Sequence, residues 1–156
     1  MLTLSTSCDS KERHKDNDTN HQPHRDAGVW AVKVGGDAFD STDGIHYEAD
    51  KFVTGGEVSQ METVVGSQDN ALYQSYRMGD LKVTKAIQNG TYDLQFRFAE
   101  PFDIPTGDRL FSVLAQGKPV IGDLDVRLAR EGRHVSALDR VATGIVVTDG
   151  ELNITF

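Results

Sequence analysis

The chain has 156 residues, enough for one domain with a proper core and too few for two ordinary ones. Its net charge is −8 with no basic stripe, which disfavours nucleic acid as a partner, and no stretch approaches the ~20 apolar residues of a membrane-spanning helix. A single cysteine excludes a disulfide framework and a cysteine-based zinc site, while 38% hydrophobic residues with 15 Gly and only 4 Pro suit a turn-rich β protein.

Residues 1–27 are polar and carry no hydrophobic period, so they read as a disordered tether unable to offset its ordering entropy. The tether holds four basic and five acidic side chains, leaving −7 of the charge on residues 28–156. Cys8 follows Leu4-Ser5-Thr6-Ser7 and precedes a polar linker, which resembles the end of a bacterial lipoprotein signal. That resemblance implies lipidation at Cys8. The basic start and most of the apolar run of such a signal are missing, and an incidental free cysteine is the alternative. Asp16-x-Asp18-x-Asn20 opens like a calcium loop, but His21 stands at the required glycine and Ala27 at the bidentate glutamate. His14, His21 and His24 lack the spacing of a zinc site, so neither metal nor cofactor is expected.

From Gly28 onward, short strands and turns dominate. Val29 to Val34 reads as a strand closed by Gly35-Gly36, and Ala71 to Tyr76 as a short alternation. Asn89-Gly90 is the strongest local hairpin signal, since both central residues of a type I′ turn need φ > 0. After it Tyr92, Leu94, Phe96 and Phe98 share one face, with Asp93, Gln95 and Arg97 on the other. This half-buried antiparallel strand delivers Glu100, Pro101, Phe102 and Asp103 into a loop. An aromatic and two carboxylates on a rigid sheet suit a polar-ligand site; a plain solvated loop is the competing reading. Arg109 to Leu114 runs to a Gln116-Gly117 turn, and Pro119 to Val126 returns. Ala129 to Val141 is polar and reads as a long connection or short irregular strand. Gly144 to Thr148 is expected to pair with Leu152 to Phe156 across Asp149-Gly150, a second favoured hairpin turn. Strands at roughly ten-residue spacing, without a helical period, predict an all-β, antiparallel β-sandwich.

Six ordered blocks carry a family resemblance. They are Ala31-Val32-Lys33-Val34-Gly35-Gly36-Asp37 with Asp43-Gly44-Ile45-His46-Tyr47-Glu48, Leu72-Tyr73-Gln74-x-x-Arg77, Asn89-Gly90-Thr91-Tyr92 with Phe98-Ala99-Glu100, Leu110-Phe111-x-Val113, Asp123-Leu124-Asp125-Val126, and Asp149-Gly150-x-Leu152-Asn153-Ile154-x-Phe156. In this order they resemble a malectin-type domain over about residues 29–156. The resemblance implies a jelly-roll β-sandwich that binds carbohydrate without chemistry. Bacterial members of that family are usually appended to secreted polysaccharide-degrading enzymes, which implies a linked catalytic domain and a secreted, periplasmic or cell-surface location. Three departures stand out. Met78 occupies a family aromatic position, Asp103 replaces the second of two aromatics of which Phe102 is kept, and a sugar-binding tyrosine has only Phe52 near its place. The family's final strand would follow Phe156, so the domain is expected to lack its last strand.

A pyranose offers an apolar C–H face and a rim of hydroxyls, which aromatic rings and carboxylates, amides or arginines receive respectively. Phe102 is the first candidate platform, with Tyr76 substituting for the aromatic missing beside Met78. Asp103, Glu100 and Arg77 are candidate hydroxyl partners. Tyr47 and Tyr73 are further candidates, although Tyr73 sits on an alternation that equally suits the core, and Met78 could simply fill an irregular gap. The anionic surface favours neutral glycans.

Two other classes compete. Glu100 with Asp103 could be posed as a glycosidase pair, but there is no nucleophile elbow, zinc-protease motif or phosphate loop. Loss of the family aromatics instead suits a degenerate scaffold or a protein-interaction module.

Overall fold

The computed structural model describes residues 2–5 and 29–156. Among these residues eleven strands form two sheets, and two single-turn helices connect to them. The six-stranded sheet runs in the order β10 (Leu138–Val147), β7 (Gly90–Phe98), β1 (Leu2–Ser5), β2 (Trp30–Val32), β4 (His46–Glu48), β3 (Phe39–Asp40). The five-stranded sheet runs β5 (Val53–Gln60), β6 (Ser75–Ala86), β11 (Glu151–Thr155), β8 (Phe111–Ala115), β9 (Lys118–Leu124). All pairings are antiparallel except β2 with β4. The helices are α1 (Asn70–Tyr73) and α2 (Val126–Ala129).

The core lies between the sheets, because alternate residues of each strand point to one face. Tyr92, Leu94 and Phe96 of β7 and Ile145 and Val147 of β10 meet Val83 of β6, Val113 of β8 and Leu152 and Ile154 of β11. The period-two reading of Tyr92, Leu94 and Phe96 is therefore the observed burial, with Phe98 half-buried beside them. A second apolar layer covers the outer face of the six-stranded sheet. Val32 faces the inner core, so Ala31 faces outward, and Tyr47 sits in register with Ala31. Val64, Leu72 and Tyr73 from the stretch around α1 close over them.

Four expectations are corrected. Neither Asn-Gly nor Asp-Gly makes a hairpin: β6 and β7 lie in different sheets, as do β10 and β11. Asn89 and Gly90 both keep negative φ, and only Gly150, at φ 78°, takes the left-handed conformation. Each turn is an arch that carries the chain across the core. An alternating apolar strand satisfies either geometry, because its inner face meets the same core from either sheet. Ala71 to Tyr76 is not one strand but α1 followed by the start of the twelve-residue β6. The stretch from Ala129 to Val141 holds the end of α2 and the first residues of β10. Leu2–Ser5, assigned to the tether, is a strand whose backbone pairs with both β2 and β7. Those two strands would otherwise present unpaired backbone edges to each other, and four residues suffice to join them. Cys8 and the three tail histidines lie outside the described residues.

Candidate functional site

At one end of the sandwich the start of β6 meets the end of β7. Gly35, after β2, packs directly against the start of β6. It adopts φ 85°, and a Cβ there would lie 2.5 Å from the carbonyl carbon and oxygen of Tyr76, so a side chain could not be accommodated. Beside this contact opens a cavity of about 350 Å³ lined by Tyr76, Arg77 and Met78 of β6, Phe98 to Pro101 after β7, Arg109, and Phe111 of β8. Its aromatic floor is mutually packed: Phe98 meets Phe111 edge-on at 5.3 Å between centroids and Phe156 at 6.4 Å. Asp80, Arg77, Glu100 and Arg109 supply the polar lining.

Glu100 organises the mouth. It is only 4% exposed, yet both hydrogen bonds fall on one oxygen: Arg109 Nη1 donates to Oε1 at 2.5 Å and the Phe102 backbone N–H donates at 3.0 Å. The Arg109 guanidinium carbon then lies 5.3 Å from the Phe102 ring centroid. Phe102 is thus held by its backbone on one side and by a cation over its ring, while remaining 41% exposed. The following loop is tied down by Asp125, which caps α2. Leu128 N–H donates to Asp125 Oδ1 at 2.8 Å and Gly107 N–H donates to Oδ2 at 2.6 Å. Those backbone donors, Leu128 first, hold the Asp125 carboxyl below its usual range.

A mostly apolar, aromatic-floored cavity with a few convergent polar groups matches the chemistry of a small hydroxylated ligand. Its position is also where the sequence blocks around Arg77 and Glu100 converge. A model of the malectin domain family matches residues 28–156. The chain belongs to this family. Its relatives include Malectin-A of Xenopus laevis, 28% identical over 83% of this chain and 49% of that protein. Malectin of Homo sapiens is 27% identical over 81% of this chain and 45% of its own length. The kinesin-like protein KIN-14Q of Arabidopsis thaliana is 31% identical over 78% of this chain and 11% of that protein. The chain spans about half the length of the malectins it matches. Among solved structures, the ANXUR1 extracellular domain from Arabidopsis thaliana matches with a TM-score of 0.65 over 81% of this chain and 41% of that one. At 15% identity that likeness concerns the fold.

Within this malectin domain the candidate residues separate into three groups. Tyr76, Arg77, Met78 and Glu100 line one cavity. Arg77 is heavily engaged: Nε donates to Asp50 Oδ2 at 2.6 Å, and Nη1 donates to the carbonyls of Gly55 at 2.7 Å and Gly56 at 3.2 Å. It braces the β4–β5 connection against β6 more than it reaches for a ligand. Phe102 and Asp103 stand outside the cavity wall, Phe102 at its lip through Arg109. Asp103 is an exposed carboxylate bonded by Arg127 Nη1 at 2.5 Å, with His134 Nδ1 3.7 Å distant. The Arg127 hydrogen bond keeps its carboxyl below the ordinary range.

Tyr47 and Tyr73, the two further candidates, do not line this cavity. They are 0% and 4% exposed in the outer apolar layer, so neither ring presents a face to a ligand. Tyr73 donates its hydroxyl to Asp139 Oδ1 at 3.1 Å, and burial pushes its phenol well above the usual range. Arg97 lies 5.8 Å from the Tyr47 ring centroid, in the same layer.

Sequence reasoning missed Arg109 as the partner of Glu100, and Phe111 and Phe156 as floor. The alternation of β7 marks Phe98 as inward-facing, but nothing local says that its ring ends on a cavity rather than in the core. Among the described residues, no group of three or more His, Cys, Asp or Glu could hold a metal ion, and no helix is long and apolar enough to cross a membrane.

Proposed function

We propose that this chain is a non-catalytic carbohydrate-binding module whose site is the cavity mouth framed by Met78, Glu100, Phe102 and Arg109. The observation that carries the reading is the convergence of an aromatic floor, an exposed and braced Phe102, and paired polar groups at one end of a malectin-family sandwich. Phe102 receives the C–H face of a pyranose, and Glu100, Arg109 and Asp80 offer acceptors and donors to its hydroxyls. Glu100 bonds Arg109 and the Phe102 amide through Oε1, and Asp103 bonds Arg127, which suits a binding rather than a catalytic role for both carboxylates.

One shallow site with one principal ring binds in the high-micromolar to millimolar range, about −4 to −6 kcal/mol. Such a module works by tethering, which raises effective concentration near a polymer. An appended glycan-degrading enzyme, or lipidation at Cys8, would supply the tether, and the setting would be extracytoplasmic. The net charge of −8 favours neutral glycans.

Affinity electrophoresis over neutral plant, algal and α-glucan polymers, with Phe102→Ala alongside, tests the reading. Retardation by one polymer class that the variant loses is the expected result. Retardation unchanged in the variant moves the site elsewhere. Absence of retardation by folded protein overturns the function in favour of a scaffold or protein-binding sandwich.

A further inference from the structure

A second, larger groove adjoins the cavity. It has a volume of about 760 Å³ and is bordered by Lys33, Gly36, Gln60, Glu62, Gln74 and Ser75. The two share a wall: Val34 and Tyr76 line the first, while their chain neighbours Gly35 and Ser75 line the second. That wall is the Gly35–Tyr76 backbone contact described above. The first cavity has an aromatic floor, whereas the second has no aromatic ring in its lining.

The chemistry of the second groove is that of a hydroxyl-rich neutral chain. Amides at Gln60 and Gln74 each combine donor and acceptor capacity. Gln74 Nε2 donates to the Glu62 carbonyl at 2.7 Å, which holds the groove's far wall in place. Lys33 is offset by Asp37 and Glu62, so no single sign of charge dominates. Ser75 is 8% exposed, and its buried hydroxyl has no hydrogen-bond partner among the described residues. It lies against Gly36, where a Cβ would collide with the Ser75 oxygen, and the Lys33 stem packs over the same spot. Displacement of that flexible stem by a ligand hydroxyl gives Ser75 the partner it lacks.

We propose that this groove is a second saccharide subsite, so that the ligand is an extended neutral oligosaccharide that stacks one unit at the first cavity and crosses the Gly35–Tyr76 wall into the groove. The inference rests on the carbohydrate reading of the first cavity. It turns a site for a chain end or short unit into one that measures chain length.

The test is an amide-resolved NMR titration of the chain with malto- and cello-oligosaccharides of two, four and six units, repeated on Gln60→Ala/Ser75→Ala. The dissociation constant is expected to fall about tenfold from two units to six, as an added subsite predicts. Amides of Gly36, Gln74 and Ser75 should respond only to the longer chains. The double variant should keep the two-unit affinity and lose the gain with length. Affinity independent of length, with responses confined to Tyr76–Met78 and Glu100–Phe102, overturns the second subsite and leaves the first. Responses confined to the groove overturn the first site and its continuity with the second. No response to any oligosaccharide in either series, from a well-dispersed spectrum, overturns both.

Discussion

Arg109 and Glu100 clasp each other across the cavity mouth at 2.5 Å, and the same Glu100 oxygen receives the Phe102 amide at 3.0 Å. The position of the Phe102 loop therefore depends on one buried carboxylate. Removing one member of a fully buried pair costs about 3–5 kcal/mol; with the Arg109 side chain 39% exposed, Glu100→Gln should cost less, about 1–2 kcal/mol. Urea denaturation measures that loss. Glycan affinity should fall in parallel, because a neutral amide oxygen holds the Phe102 N–H and the Arg109 guanidinium more weakly than the carboxylate does. An unchanged affinity would show that Phe102 does not depend on that charge.

Phe102→Ala separates binding from stability. The ring is 41% exposed, so the thermal midpoint should move little, while a lost stacking contact of ~1–3 kcal/mol lowers glycan affinity by about five- to 150-fold. Calorimetric titration beside a thermal melt reads both. A large drop in the melt would place the ring in the core instead.

Tyr73 makes the fold sensitive to alkali. Burial, then the neighbouring Asp139 charge, raises its phenol above the usual value, so the native state holds the proton more tightly than the unfolded chain. The stability this contributes is complete below the unfolded value of about 10 and declines as pH rises toward the native one. Tyr73→Phe should lower neutral-pH stability by about 0.5–1.5 kcal/mol through loss of the bond to Asp139, and should flatten the decline above about pH 10. Urea midpoints across pH 7–11 test the sign.

Asp125 acts at the acid end. Backbone donors from Leu128 and Gly107 favour its charged form, so its contribution is present above the unfolded value of about 3.9 and is lost as pH falls through the lower native one. Asp125→Ala should lower stability near neutrality through loss of the helix cap, and the difference between the two proteins should shrink as pH falls below about 4. Comparing urea midpoints at pH 7 and pH 3 measures the convergence of the two proteins.

The two arches brace each other. Gly150 N–H donates to Asn89 Oδ1 at 2.8 Å, and Ile87 N–H donates to the Gly150 carbonyl at 2.9 Å. At φ 78° Gly150 tolerates a side chain poorly, although a Cβ there meets nothing nearer than 3.9 Å. Gly150→Ala should therefore cost about 1–2 kcal/mol from backbone strain alone. Asn89→Ala should cost about 1 kcal/mol from the lost bond. The double variant should show less than the sum, because loss of the Asn89 bond frees the backbone at position 150 to relax the strain of the added side chain.

Alternation along the chain determined what the core would contain. Tyr92, Leu94 and Phe96 point inward because successive side chains of a strand point to opposite faces, a rule that needs no knowledge of the partner strand. The ordered blocks from Ala31 to Phe156 likewise carried the malectin likeness without any contact being known. The partner of each strand was beyond such local reasoning. Val147 and Leu152, 1% and 0% exposed, face the same core whether their strands form a hairpin or an arch, so their pattern is identical in both cases. Only packing of the two sheets decides which turn forms. The same limit applies to the aromatic candidates: Tyr47 and Tyr73 look like Phe102 in sequence, yet an outer layer around α1 buries them and leaves Phe102 in solvent. Tertiary structure also brought Arg109 to Glu100 and Met78 to both, because a cavity is made by strand ends from two sheets and no spacing along the chain encodes their distance.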